Sequence, residues 1–261
     1  MDLGLAGKRA VVTGASRGIG LTVARTLAAE GVYIVAGSRD GSEELKQLVA
    51  SGQASDVQVD LASTTGPSQL IQTALDGGPI DILINNAGAV TPRIDGSGSV
   101  TDEQWANSLS LTLMAAVRTA RAALPYMIEA GRGSIVNTAS VNASLPDPLV
   151  IDYSAAKAAL VNFSKALSKE VGPNGIRVNT VSPGPVATDL WLGNQGVAST
   201  LSNTLGGNPT DYEQNAVRDT ATRRFTTPQE VADLIVFLAS DRSANVTGAD
   251  YIIDGGLTQS L

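Results

Sequence analysis

Residues 11–31, "VVTGASRGIGLTVARTLAAEG", decide the fold. A β-branched run passes into a turn with glycines at 14, 18 and 20, and the turn opens a segment with apolar residues at helical spacing. Strand, tight turn and helix make the first unit of a βα repeat. Such a turn lets a ligand approach the backbone N–H groups at the helix start, where the helix dipole favours a pyrophosphate. The spacing is GxxxGxG, one residue longer than the commonest dinucleotide fingerprint, and glycine-rich turns of this kind also occur without a ligand.

Outward from this unit the same beat continues. Short apolar runs read as strands in "RAVVTG", "VYIVAGS", "DVQVD", "IDILINNAG", "GSIVNTAS", "IRVNTVSPG" and "ADYIIDGG". Most lack polar alternation, which predicts strands buried on both faces of a parallel sheet. Between them, residues 18–31, 43–52, 67–75, 101–130, 153–171 and 228–239 carry helical periodicity, with Pro125 expected to kink or shorten the fourth. The prediction is an α/β fold, a Rossmann-like doubly wound parallel sheet of about seven strands flanked by helices. Residues 1–261 read as a single domain, because no repeat or long Pro/Gly/Ser-rich linker divides them. Residues 189–225 break the beat, mixing Trp191, Leu192, Val197, Leu201 and Leu205 with glycines, and are expected to form a substrate lid with some helix.

Composition narrows the chemistry. With 43% hydrophobic residues the chain can bury a sizeable core, and its net charge of −7 offers no basic footprint for nucleic acid or anionic lipid. The start "MDLGLAGKRAVVTGA" has no basic, apolar leader pattern, and no run of about 18 apolar residues follows, so a cytoplasmic location is expected. Cysteine and histidine are both absent. Their absence removes disulfides, thiolate or imidazole metal sites, Ser-His-Asp hydrolysis and the commonest general base. Proton chemistry near neutral pH then falls to tyrosine, lysine or a carboxylate.

The stretch "DYSAAKAAL" supplies two of these. Tyr153 and Lys157 stand four residues apart in a helical pattern, hence on one face. An adjacent ammonium favours the phenolate, so Lys157 is expected to draw the tyrosine pKa from about 10 towards neutrality. At the end of the second strand, "AGSRD" puts Ser38 where an acid would bind a ribose 2′-hydroxyl, followed by Arg39. With Arg17 inside the glycine turn, this favours NADP(H) over NAD(H).

Taken in order, "TGASRGIG", "NNAG" at 85–88, "YSAAK" at 153–157 and "PGPVATD" at 183–189 resemble the short-chain dehydrogenase/reductase family, over nearly the whole chain. The C-terminal "TPQEVADLIVFLAS" and "VTGADYIIDGG" resemble those of 3-oxoacyl-carrier-protein reductases and related carbonyl reductases. The resemblance implies Ser140, 13 residues before Tyr153, as a second hydroxyl on the substrate oxygen. Tyr153 would pass the proton while hydride moves to or from the nicotinamide, and Lys157 would tune the tyrosine and hold the nicotinamide ribose. It also implies cofactor contacts at Gly14, Ser16, Arg17, Gly18, Ile19, Gly20, Ser38 and Arg39, at Asp60 and Leu61 beside the adenine, at Asn86 and Gly88 along the adenosine ribose, and at Val186 and Thr188 beside the carboxamide. Asn85 is expected to tie strands together and Asp254 to be structural.

One position departs from the pattern. Aligned on Trp105 and Pro125, Thr112 stands where relatives carry an asparagine that holds a water of the proton relay. The expected activity is an NADP(H)-dependent interconversion of a ketone and a secondary alcohol, with Ser140, Tyr153, Lys157 and Thr112 as the catalytic set. The alternatives are an NAD(H)-dependent alcohol dehydrogenase and a non-enzymatic dinucleotide-binding sensor or scaffold. Segments 90–93, 141–149 and 190–205 should border a pocket for a small, neutral or modestly polar carbonyl compound, and the resemblance implies a homo-oligomer, a tetramer or a dimer.

Overall fold

The computed structural model describes residues 2–259. Seven parallel strands form one sheet in the order β3-β2-β1-β4-β5-β6-β7. They are β1 Arg9–Thr13, β2 Tyr33–Ser38, β3 Ala54–Gln58, β4 Ile82–Asn85, β5 Gly133–Thr138, β6 Ile176–Pro183 and β7 Asp250–Ile253. Every strand falls within a run read from the sequence, apart from the first two residues of β3. The chain order reverses at β1, which pairs with β2 on one side and β4 on the other. In a sheet of this kind ligands bind beyond the carboxyl ends of the strands at that reversal.

Alternation along each strand feeds two cores. Ala10 and Val12 of β1 pack with Val23 and Leu27 of α1 (Gly18–Ala29) and with Val231 and Ile235 of α10 (Pro228–Ala239). Val11 points the other way, towards Leu70 and Ile71 of α3 (Gly66–Asp76), Met127 of α5 (Ala115–Ala130) and Leu167 of α6 (Ile151–Val171). Both faces are therefore dry, which is why the strand sequences show no polar alternation. Each of these large side chains contributes roughly 1.5–3 kcal/mol on burial.

The segment predicted as one helix over 101–130 is interrupted, though not by Pro125. α4 (Asp102–Leu109) starts on a Thr101–Gln104 capping box and passes into a π turn at Ser110–Met114, after which α5 runs through Pro125 to Ala130. Residues 189–225 form α7 (Asp189–Leu192), α8 (Val197–Leu205) and α9 (Pro209–Arg218). α2 is Glu43–Ala50. The base of this excursion is pinned by a bridge between Val186 and Thr226, where the Ala187 N–H donates to Thr226 O at 2.9 Å and the Thr226 N–H to Pro185 O at 2.9 Å. Among the described residues no helix is long and apolar enough to cross a membrane.

Candidate active site

The predicted residues gather at the carboxyl edge of the sheet. The turn from β1 to α1 carries Gly14, Ser16, Arg17, Gly18, Ile19 and Gly20; Ser38 ends β2 and Arg39 follows it; Asp60 and Leu61 follow β3; Asn86 and Gly88 follow β4; and Val186 and Thr188 follow β6. Ser140 follows β5, Tyr153 and Lys157 lie on the first turns of α6, and Thr112 is in the π turn.

The glycine turn is a cradle that side chains would fill. A Cβ on Gly20 would stand 2.2 Å from Gly14 O and 2.5 Å from Asn86 Nδ2, closer than real contacts allow. Gly14 has φ +67° and Gly18 φ +56°, the left-handed region that favours glycine. At the start of α1, Arg17 makes no side-chain cap, and the first turn carries no acid. These N–H groups are thus left for an anion, and the turn fits a pyrophosphate.

Contacts between distant segments shape the cradle. The Asn86 amide donates to Thr13 O and Gly14 O at 3.3 Å each, so this side chain braces the turn. A Cβ on Gly18 would touch Thr188 Cγ2 at 3.4 Å, which puts the residues after β6 against the turn. Arg17 and Arg39 are exposed, and neither forms an ion pair among the described residues. The Ser38 hydroxyl donates to Asp40 O at 3.0 Å and so shapes the loop that displays Arg39. Asp60 accepts from the Ala62 N–H at 3.0 Å. Leu61 is buried in the core, which leaves chiefly its main chain for a ligand.

At the other end, the Lys157 ammonium is 5.5 Å from the Tyr153 ring centre, and a Cβ on Gly88 would lie 3.6 Å from its Nζ. Lys157 Nζ donates to Thr138 O at 2.5 Å. Ser140 accepts from the Asn142 N–H at 3.2 Å. The expectation that Lys157 draws the phenol towards neutrality is not met in this structure. Burial pushes Tyr153 up to about 12, with the Ser140 hydroxyl pulling the other way. Tyr153 keeps some solvent contact, which moderates the rise. Burial also pushes Lys157 down to about 7. The physical reason is burial: lost hydration disfavours the phenolate and the ammonium alike, and a lysine partly neutral near pH 7 stabilises a phenolate weakly.

A buried polar brace holds these elements in register. Asn85 Nδ2 donates to Asn137 Oδ1 at 2.8 Å, Asn137 Nδ2 to Ser164 Oγ at 2.7 Å, and Thr119 Oγ1 to Asn85 Oδ1 at 2.6 Å. Asn85 thus ties β4 to β5 and α5, as expected. Asp254 accepts from the N–H groups of Gly256 and Thr258 at 2.8 and 2.7 Å, a structural role. Thr112 is 1% exposed, and its Oγ1 is buried without a partner among the described residues. One contact escaped the sequence reading: Arg93, expected only as the end of a pocket-bordering segment, forms an ion pair of 2.5 Å with Asp152 beside Tyr153.

The family model described as enoyl-(acyl carrier protein) reductase matches residues 14–258. The chain is 33% identical to the 3-oxoacyl-(acyl-carrier-protein) reductase FabG of Chlamydia pneumoniae, covering 99% of this chain and 100% of that protein. It is 36% identical to D-threitol dehydrogenase of Mycolicibacterium smegmatis, over 98% and 95% of the two chains. Among solved structures, L-sorbose reductase from Gluconobacter frateurii, complexed with NADPH and L-sorbose, superposes with a TM-score of 0.91 at 36% identity, covering 100% of both chains. With the parallel sheet, the glycine turn and the Ser140–Tyr153–Lys157 grouping, these likenesses make the chain a member of the short-chain dehydrogenase/reductase family of oxidoreductases.

Proposed function

We propose that the protein is an NADP(H)-dependent carbonyl reductase that interconverts an uncharged ketone and a secondary alcohol, working as one unit over residues 1–261 with 189–225 as its lid. The observation that carries this reading is the grouping of Ser140, Tyr153 and a buried Lys157 at the strand edge that also bears the glycine cradle. Gly14, Ser16, Arg17, Gly18, Ile19 and Gly20 hold the pyrophosphate. Ser38, Arg39 and Arg17 take the 2′-phosphate, Asp60 and Leu61 border the adenine, and Asn86 and Gly88 border the adenosine ribose. Val186 and Thr188 face the carboxamide, and Lys157 binds the nicotinamide ribose. When bound, the cofactor supplies or accepts the hydride.

Ser140 and Tyr153 hold the substrate oxygen between two hydroxyls. A phenol pushed up to about 12 stays protonated near pH 7. It is therefore poised to donate to a carbonyl oxygen, which favours reduction over oxidation at neutral pH. Lys157 resupplies the proton and is itself recharged through a water held by Thr112, whose buried hydroxyl has no partner among the described residues and whose π turn packs against α6. NADP(H) is supported by the two exposed arginines and by the NADPH complex of the L-sorbose reductase relative.

The substrate class follows from charge. Across 90–93, 141–149 and 190–205 the only cation is Arg93, which Asp152 neutralises, while Leu145, Leu149, Leu190 and Leu192 are exposed. No free cation there attracts a carboxylate or an acidic carrier. The protein acts as a cytoplasmic homo-oligomer, a homotetramer by analogy with the family, on a small molecule.

Fluorescence titration with NADPH and NADH, followed by a panel of ketones, diketones and 3-oxoesters, tests the reading. It requires tighter binding of NADPH and its consumption with at least one ketone. Tight binding with no turnover would move the protein to the sensor reading.

A further inference from the structure

The first turn of α6 has an unusual anchorage. Val150, at the cap position, offers no side-chain acceptor, and the preceding Pro148–Val150 turn leads straight into the helix. Asp152 stands in the first turn, where the helix dipole favours an acid. Burial pushes its pKa up, but Arg93 and the N–H groups of Tyr153 and Asp152 more than offset this and hold it below its ordinary value. Arg93 comes from the segment after β4. Its Nη2 meets Asp152 Oδ2 at 2.5 Å and its Nε meets Oδ1 at 3.3 Å, a two-pronged contact. Its own N–H donates to Leu149 O at 2.6 Å.

The two side chains are 12% and 3% exposed. A pair this buried forfeits hydration worth several kcal/mol per ion, so well-packed apolar residues would usually serve stability equally well or better. Its place, adjoining the tyrosine and joining the segment after β4 to α6, calls for another explanation. We propose that Arg93 and Asp152 form a positioning clasp that fixes the first turn of α6, and with it the direction of the Tyr153 phenol towards Ser140. Neither residue touches the reacting atoms. The clasp rests on the catalytic reading of Tyr153.

The decisive variant is the double substitution Arg93→Met/Asp152→Leu, which removes both charges and leaves neither ion stranded. The clasp predicts a melting temperature at or above that of the parent and KM and NADPH Kd unchanged. The kcat should fall roughly 10- to 100-fold, as a misaimed catalytic group costs. In 13C-tyrosine NMR, with the resonance assigned by Tyr153→Phe, the Tyr153 phenol should titrate lower than in the parent as it gains solvent. A stable double variant with parental kcat and an unmoved phenol overturns the clasp. So does a rise in KM alone, which would make Arg93 a substrate contact. If the double variant fails to fold, Arg93→Lys keeps the charge and loses the fork; it should lower kcat several-fold at unchanged KM, and parental kcat overturns the clasp. If the parent reduces no ketone, the functional reading has failed, and the phenol titration alone then decides for or against the clasp.

Discussion

Replacing Lys157 with methionine should stabilise the cofactor-free protein while removing its activity. Lys157 is 2% exposed, with one backbone carbonyl as partner, and burial lowers its pKa from 10.5 to about 7. At about 1.4 kcal/mol per pH unit, the difference makes the charged lysine cost the fold about 5 kcal/mol. Methionine fills similar space but leaves Thr138 O without its donor, a loss of roughly 1–3 kcal/mol. The net gain at pH 6 is therefore about 2–4 kcal/mol. Its pH dependence fixes the sign. Below pH 7 both folded and unfolded lysine are charged and the penalty is fully present. Between about 7 and 10.5 the unfolded state binds the extra proton, so the parent gains stability as pH rises, and above 10.5 the penalty is gone. Urea unfolding of parent and Lys157→Met between pH 6 and 10, without cofactor, reads this directly. A variant less stable at pH 6, or a difference that does not shrink with rising pH, refutes the argument.

Four further outcomes are expected. Gly20→Ala, with its Cβ 2.2 Å from Gly14 O, should distort the cradle and weaken NADPH binding at least tenfold while the fold survives; unchanged affinity in a fluorescence titration would remove the cradle from the account. Arg39→Asp should weaken NADPH far more than NADH, and equal losses would speak against reading of the 2′-phosphate. Alcohol oxidation should accelerate as pH climbs from 7 towards 10, because a phenol pushed up to about 12 must lose its proton first; a flat profile contradicts that. Thr112→Val should lower kcat roughly 10- to 100-fold with cofactor binding intact, whereas parental turnover would exclude the hydroxyl from the relay.

How far the sequence reached depended on what each feature needs. The inner strands were legible because a sheet covered on both faces demands unbroken apolar runs. β7, with the burial of an edge strand, was still marked by "YII" before a glycine pair. The glycine turn was legible because few other residues fit it. The π turn at Ser110–Met114 was not, since an extra residue in a helical turn leaves no residue-type signature and Pro125 looked the more natural place to break. Spacing put Tyr153 and Lys157 on one face correctly, but the direction of their pKa shifts depends on burial, which spacing does not contain. Arg93 and Asp152 lie 59 residues apart, and only the fold reveals that they share a contact.

If Tyr153 gives the proton when a ketone is reduced, Tyr153→Phe should expose it, because this change removes one oxygen and little else. NADPH affinity and single-turnover reduction should be measured together on parent and variant, with a ketone that the parent consumes. NADPH affinity should stay within about twofold and turnover should fall at least 100-fold, the general acid–base contribution. A variant that binds NADPH and reduces the ketone at the parental rate would contradict it.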